Sequence, residues 1–339
     1  MAPFSGRIDQ VLWVPWQRWD TIWYTKIAEQ GYSASDQTTA FFPLYPLLIK
    51  LVAPLFAGNT VAAGVIVASL AALAGLMLFY RWTADAFGRA AAERGLVYLA
   101  LFPSALFLFA AYTESLFLAL VLASFILARR GSWGWVGIVG GLAALTRVQG
   151  LLLMLPLVVE FWLQYRHGRV RLVKLLCLVP VVATGALFFL YLLRLTGSAS
   201  AWFAIEGAWR TWDLPWAGAL NSLYNILYSG EPAAILLNLL DLGTLLLFLV
   251  LLAWSMRKQR WPEAALMAMV ILPPLFTIAR FSPLLPLASI SRFVLVAFPG
   301  FALLGTRRLR APWNQLLVAF ALLFQVFMLI LFTQWVLIG

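Results

Sequence analysis

Long apolar runs separated by short polar breaks make up most of the chain. A bilayer's hydrocarbon core is about 30 Å thick and takes about 20 helical residues, so the pattern predicts membrane-spanning helices. The ten runs lie at residues 60–80, 95–111, 115–128, 133–146, 149–164, 175–195, 232–254, 262–279, 285–304 and 313–335. The sequence therefore predicts an all-α polytopic membrane protein with one domain over residues 1–339 and about ten transmembrane helices.

Two of these runs are too short to cross the bilayer by themselves. Residues 133–146 would reach only about 21 Å at 1.5 Å per residue, so this run and 149–164 predict a hairpin with its tip below the outer surface. Arg147 lies at that tip. A charge at mid-bilayer depth costs about 3 kcal/mol or more, so Arg147 requires an anionic partner or a watery cavity, and Arg292 has the same requirement.

The amino-terminal segment 1–58 mixes acids, bases and aromatic residues without becoming a membrane span. Within it, Pro15–Gln30 predicts an interfacial helix, because tryptophans recur at helical spacing opposite basic residues. The predicted apolar face consists of Trp16, Trp19, Trp23 and Ile27. The following stretch, Leu47–Phe56, is short and predicts a re-entrant or interfacial helix.

Composition agrees with a membrane protein. Hydrophobic residues make up 63% of the chain and charged residues 11%, with a mean hydropathy of +0.92, which is outside the range of soluble domains. A single cysteine (Cys177) and a single histidine (His167) exclude a disulfide framework and a Cys/His metal cluster. We therefore predict no metal site and no cofactor. No cleavable signal peptide is visible in Met1–Val14.

The distribution of charge predicts the topology. Most of the 24 basic residues fall in alternate loops, which marks these loops as cytoplasmic and argues against a nucleic-acid partner. The cytoplasmic loops are 81–94, 129–132, 165–174, 257–261 and 306–311. Most of the 13 acidic residues lie on the other side, in the 1–58 segment, the turn at Tyr112–Glu114 and the long 196–231 loop. The working face is therefore predicted to be extracytoplasmic.

Several chemically competent residues converge on that outer face. They are Asp20, Glu29, Tyr112, Glu114, Arg147, Gln149 and Arg292. Arginine can make bidentate contacts to phosphate oxygens, and a carboxylate can take a proton from an incoming hydroxyl. Together they favour a lipid substrate whose head group is an anionic phosphate carrying a polar moiety.

Each candidate also has a purely structural interpretation. The Tyr112–Glu114 segment could simply close a turn, and Asp213 could contact an acceptor or stabilise a loop. The alternative partners are Arg18 or Lys26 for Asp20, Glu114 for Arg147, Asp241 for Arg292, and Lys26 for Glu29.

Five motifs resemble those of a known family. RWDTIWYTKIAEQGY and TTAFFPLYPLL occur near the amino terminus, and AYTESLFLAL, LTRVQGLLL and SISRFVLVAFP follow in order. Their sequence and spacing resemble the PIG-V family, which comprises GPI mannosyltransferase 2 and its bacterial homologues. The resemblance covers about residues 17–300. The family has a transmembrane helix before the R-W-D motif, and Met1–Val14 is too short and polar for one, so either the start is truncated or the terminus lies outside.

The resemblance implies a GT-C glycosyltransferase in a bacterial plasma membrane. Such an enzyme moves a hexose, here mannose, from a polyprenyl-phosphate donor to a glycan, glycolipid or protein acceptor. It works among membrane lipids and needs no nucleotide-sugar-binding domain. It implies catalytic roles for Asp20 and Glu29, and donor binding by Tyr45, Arg147, Gln149 and Arg292. Arg18, Tyr112 and Glu114 are expected nearby. The rival interpretations are a non-catalytic lipid-binding scaffold and a transporter of lipid-linked sugars.

Overall fold

A computed structural model describes residues 11–308 and 310–336; Asp9, an acid of the 1–58 segment predicted to lie outside the cytoplasm, is not among them. The described residues are almost entirely helical. The α-helices are α1 Asp20–Gln30, α2 Leu44–Val52, α3 Thr60–Phe87, α4 Arg89–Ala100, α5 Glu114–Arg129, α6 Trp133–Ala144, α7 Gln149–Leu152, α8 Met154–Arg166, α9 Val179–Thr196, α10 Ala201–Trp209, α11 Ala217–Tyr228, α12 Pro232–Arg257, α13 Trp261–Leu275, α14 Ile290–Phe293, α15 Phe298–Thr306 and α16 Ala311–Thr333. Short 3₁₀ helices occur at Val14–Trp16, Gln37–Ala40, Ala53–Phe56, Pro103–Leu108, Leu172–Leu178 and Val294–Val296.

Four helical stretches are long and apolar enough to cross a membrane. They are Thr60–Phe87, Leu172–Thr196, Pro232–Arg257 and Ala311–Thr333, and they coincide with four of the ten predicted spans. Shorter apolar helices lie at Leu44–Phe56, Trp133–Ala144 and Trp261–Leu275. The prediction of a helical membrane protein is therefore confirmed at this level.

Four predicted spans are not continuous helices, so the prediction was wrong there. The run 149–164 is interrupted at Leu153, between α7 and α8. The run 95–111 breaks where α4 ends, and Pro103 starts a 3₁₀ helix. The run 262–279 leaves the helix after Pro273 and Pro274, because proline has no N–H to continue the hydrogen-bond ladder. The run 285–304 divides into α14, a 3₁₀ turn and α15.

The predicted helix over Pro15–Gln30 is also corrected, because α1 begins only at Asp20. Trp19 has a φ of 49°, which is not helical and therefore prevents the helix from starting earlier. The predicted tryptophan face is divided as a result. Trp16 packs on Phe332 and Trp19 on Trp335, both at the carboxyl-terminal end of the described chain.

The 196–231 segment folds instead of forming an open loop. It contains α10, α11 and strand β1 (Arg210–Trp212), which pairs antiparallel with β2 (Thr277–Ala279). Arg210 lies opposite Ala279 in this ribbon. The backbone N–H of Arg280 also donates to the carbonyl of Trp209 at 2.8 Å. The ribbon therefore fixes Arg210 against the segment that leads to α14.

Helix α5 separates two polar layers of the bundle. Packed between α3 and α6, it carries Glu114 at its first residue and Arg129 at its last. These ends are about 23 Å apart along the helix axis. Arg129 pairs with Glu263 at 2.6 Å and lies over the Trp82 ring. The apolar residues between them fit a helix that crosses most of a hydrocarbon core.

Candidate active site

Two carboxylates and two guanidinium groups from four separate segments form one connected cluster. Arg292 donates from Nη2 to Asp20 Oδ2 at 2.6 Å and from Nε to Glu114 Oε1 at 2.5 Å. Arg147 donates from Nη1 to the same Oε1 of Glu114. We call these four residues the charge cluster. It brings together residues that the sequence separates by up to 272 positions.

Asp20 is the accessible acid of the cluster. Its side chain is 29% exposed, whereas that of Glu114 is 0% exposed. The start of α1 is fixed by Thr21, whose hydroxyl donates to Ala111 O at 3.2 Å. Trp19, just before it, has a left-handed φ that is unfavourable for a bulky residue. Such strain persists only where the surrounding structure imposes it, so the position of Asp20 is closely determined.

Glu114 is the buried centre of the charge cluster. As the first residue of α5, it lies at a helix amino terminus, where negative charge is favoured. Its two arginine partners compensate its charge at Oε1, whereas Oε2 is buried without a hydrogen-bond partner among the described residues. The Arg147–Glu114 pair, one of the structural alternatives from the sequence, is therefore present. It also provides the anionic partner that a recessed Arg147 requires.

Arg292 lies on a short segment that is held from three sides. The backbone N–H of Ser291 donates to Asp241 Oδ1 at 3.1 Å, and its carbonyl accepts from the Ser104 hydroxyl at 2.7 Å. Arg210 donates from Nη2 to the carbonyl of Ala288 at 2.6 Å. The Arg292–Asp241 ion pair, the structural alternative from the sequence, is therefore not formed, because Asp241 binds the backbone beside Arg292.

Aromatic rings surround the guanidinium groups of the charge cluster. The Arg292 guanidinium carbon lies 4.6 Å from the centre of the Tyr112 ring and 5.1 Å from that of Phe107. Arg147 lies 5.5 Å from the Phe293 ring. Tyr112, predicted as part of the site, thus forms one wall of it. Favourable cation–π contacts at these distances help to fix both arginines.

The hairpin tip positions Arg147 through close backbone packing. It connects α6 and α7, and a Cβ at Gly150 would collide with the backbone of Ala143. Glycine is therefore required for the two arms to approach this closely. Gln149 begins α7 and is half-buried. No hydrogen bond joins its side chain to another described residue, so the structure gives it no particular role.

Glu29, predicted as catalytic, lies away from the charge cluster. Nine residues of helix separate it from Asp20, which is about 13 Å along the axis of α1. Its side chain is exposed, and Oε1 accepts from the Thr60 hydroxyl at 2.6 Å. The alternative pairing of Glu29 with Lys26 is not formed, because Lys26 pairs with Asp36 at 2.8 Å.

Tyr45 and Arg18 both bind backbone carbonyls, and neither side chain is bonded to the charge cluster. Tyr45 is fully buried, and its hydroxyl donates to Gly64 O at 2.8 Å. Arg18 donates to the backbone carbonyls of Val14, Gln17 and Thr333 and lies over the Trp335 ring. It thereby attaches the amino-terminal segment to the end of α16. Neither Arg18 nor Lys26 pairs with Asp20, contrary to the structural alternative.

Sequence reasoning missed Arg210, Ser104 and the actual role of Asp241. Arg210 offered one signal, since it is a basic residue in a segment assigned to the acidic outer face. Asp213, left open from the sequence, stabilises a turn by accepting from the Leu214 N–H at 2.7 Å. Within the described part of the chain, no group of three or more His, Cys, Asp or Glu could hold a metal ion.

An apolar helical bundle with a polar charge cluster at one end is typical of an integral membrane protein with a recessed polar site. The chain belongs to the PIG-V mannosyltransferase family, whose family model matches residues 4–196. This confirms the resemblance drawn from the motifs and identifies the protein as an enzyme of glycosyl transfer. Asp20, Glu114 and Arg147 lie within the matched part, whereas Arg292 lies beyond it. No curated protein and no solved structure matches the chain.

Proposed function

We propose that this protein transfers mannose from a polyprenyl-phosphate-linked donor to a hydroxyl group of an acceptor, on the extracytoplasmic face of the membrane, with Asp20 as the general base. The observation that supports this proposal most directly is that the Asp20 carboxylate is partly exposed and has one oxygen free of hydrogen bonds to the described residues. Its carboxylate is partly open to solvent and is held at one oxygen by Arg292. The second oxygen remains available to a substrate hydroxyl.

The difference in burial between the two acids supports the choice of Asp20. A general base must come within hydrogen-bond distance of the proton that it accepts. Glu114 is fully enclosed and bonded to two arginines, so a bulky acceptor could not reach it. Glu114 is assigned instead to holding Arg147 and Arg292 in place.

The proposed step balances without a cofactor. The acceptor oxygen forms a bond to the anomeric carbon of the sugar as the bond from that carbon to the phosphate oxygen breaks. The electron pair of the broken bond goes to the phosphate oxygen, and the acceptor's proton goes to Asp20. A phosphate is a good leaving group, and arginine side chains can stabilise its developing charge. Arg147 and Arg292 lie beside Asp20 and are the first candidates for this role.

The polarity of the bundle supports the outer location. The charge cluster and the Arg129–Glu263 pair lie at opposite ends of α5. The loops near Arg129 carry the excess of basic residues, which is typical of the cytoplasmic side. The charge cluster therefore belongs to the opposite, extracytoplasmic side in this proposal.

The test is sugar transfer in membranes that contain the full-length chain. Radiolabelled polyprenyl-phosphate mannose would be supplied, and label would be followed into lipid, glycan and protein fractions. We expect transfer by the wild type and its loss in Asp20→Asn, which keeps the shape of the side chain but not its basicity. Glu29→Gln, a matched change on the same helix, should retain activity. Turnover by Asp20→Asn at the wild-type rate would exclude Asp20 as the base, whereas absence of transfer by the wild type would favour the non-catalytic scaffold.

A further inference from the structure

Arg210 differs from the other two arginines near the site in its bonding. Arg147 and Arg292 each pair with a carboxylate. Among the described residues, no carboxylate oxygen lies within the 4.0 Å of a salt bridge to Arg210. Its Nη2 is used by the carbonyl of Ala288, whereas its Nη1 is buried and has no acceptor in the described part of the chain.

A buried donor without an acceptor is unfavourable, and native proteins rarely retain one without a reason. An incoming ligand that supplies an anionic oxygen would remove this cost. Arginine is well suited to such a ligand, because its fork of N–H groups matches the oxygens of a phosphate. The unused Nη1 therefore points to an anion-binding role.

The position of Arg210 assigns it to the site already described. Its guanidinium carbon lies 5.4 Å from the centre of the Phe293 ring, and that of Arg147 lies 5.5 Å from the same centre. Phe293 directly follows Arg292 in α14. Arg210, Arg147 and Arg292 thus surround a single short segment.

The charge balance of the site also requires a further cation. The two carboxylates of the charge cluster match its two guanidinium groups, so the cluster alone has no surplus charge for a phosphate. Glu206, one turn before Arg210, is the acid that acts on it most strongly, without forming a salt bridge. Burial raises the pKa of the Glu206 carboxyl, although Arg210 opposes this shift.

We propose that Arg210 binds the phosphate of the lipid-linked donor through Nη1, while Nη2 keeps its bond to Ala288. This inference rests on the proposed function and deepens it. It adds a phosphate contact from a residue outside the matched family region to those proposed for Arg147 and Arg292, whose charges are already compensated. After transfer, the same contact holds the leaving polyprenyl phosphate.

The test separates phosphate recognition from a structural role. Binding of farnesyl phosphate and of farnesol would be measured for the purified full-length protein in nanodiscs. The variants are Arg210→Gln, which keeps an N–H donor for Ala288, and Arg210→Lys, which keeps the positive charge. The matched control is Arg280→Gln, because Arg280 is exposed at the end of the same ribbon and donates to the Gly207 carbonyl.

We expect Arg210→Gln to weaken farnesyl phosphate binding by about tenfold or more, with farnesol binding unchanged. Arg210→Lys should lose less, and Arg280→Gln should match the wild type. Equal loss for both ligands would reveal a structural role, and no loss would also overturn the assignment; either result leaves the proposed function standing. If the wild type itself binds farnesyl phosphate no better than farnesol, the donor class in the proposed function fails and the role of Arg210 fails with it.

Discussion

The guanidinium groups of Arg147 and Arg292 converge on one oxygen of Glu114, which has no exposed surface. Both arginines come from segments that the sequence assigns to the membrane. Burying any one of these charges alone would be strongly unfavourable, and only their mutual pairing makes the arrangement stable. Glu114 is therefore the residue on which the geometry of the whole charge cluster depends.

Removal of Glu114 is expected to destabilise the protein more than removal of Arg147. Glu114→Gln leaves Arg147 without a countercharge and Arg292 with Asp20 alone, and breaking a buried ion pair costs about 3–5 kcal/mol. Arg147→Gln leaves Glu114 still paired with Arg292. The measurement is the thermal unfolding midpoint of each purified variant in the same detergent.

A matched control for that comparison is Arg129→Gln, which breaks an ion pair at the other end of α5. The side chain of Arg129 is 31% exposed, so its loss should cost less than that of Glu114. If Arg147→Gln proved as destabilising as Glu114→Gln, Arg292 would not be sufficient to compensate Glu114.

The sequence was informative where local physics determines the outcome. Long apolar runs predicted the four long helices, and the cost of a buried charge predicted that Arg147 needs an anionic partner. The motif containing Asp20 also predicted the family. These inferences depend on neighbouring residues or on the bilayer, both of which are visible without tertiary structure.

The sequence could not predict contacts that only the packed bundle creates. Arg292 meets Asp20 across 272 positions and Glu114 across 178, whereas the alternative ion-pair partner offered by the sequence was Asp241. Glu29 shares a motif with Asp20, but helical geometry separates the two side chains. Arg210 was missed because its position depends on a two-stranded ribbon whose second strand lies within a predicted span.

Tyr45→Phe is expected to lower stability slightly and leave donor use unchanged. The hydroxyl of Tyr45 bonds to Gly64 O in the core, and loss of such a hydrogen bond costs about 1 kcal/mol. The ring would keep its edge contact with Tyr24. The unfolding midpoint and the KM for the lipid-linked donor should be measured together. A several-fold rise in donor KM would return Tyr45 to the donor site, as the family resemblance implies.

Asp36→Asn is expected to reduce stability only at pH values at which Asp36 is ionised. Burial alone would raise the pKa of this carboxyl, but bonds from Lys26 and Thr38 lower it below its ordinary value. A lowered pKa in the folded state stabilises the protein above the unfolded pKa of about 4, and the effect is lost as pH falls through the folded value.

Because the Lys26 side chain is 37% exposed, the effect of Asp36→Asn should not exceed about 1 kcal/mol. Asparagine can still accept from the Thr38 N–H, so the change isolates the charge. Unfolding midpoints of wild type and variant should differ at pH 7 and converge below about pH 4. A difference that persists unchanged at low pH would assign the effect to packing instead.

Asp241→Ala is expected to reduce the rate of transfer by disturbing Arg292. The effect is indirect, because the Asp241 side chain does not bind the Arg292 side chain. The Asp241 carboxylate accepts from the Ser291 N–H, and its loss would free the segment that presents Arg292 to Asp20. Asp241→Asn keeps an acceptor oxygen and should recover most of the activity. The measurement is kcat and donor KM for both variants beside the wild type. Equal and severe loss in the two variants would show that the charge of Asp241, and not its bond to the backbone, is what the site requires.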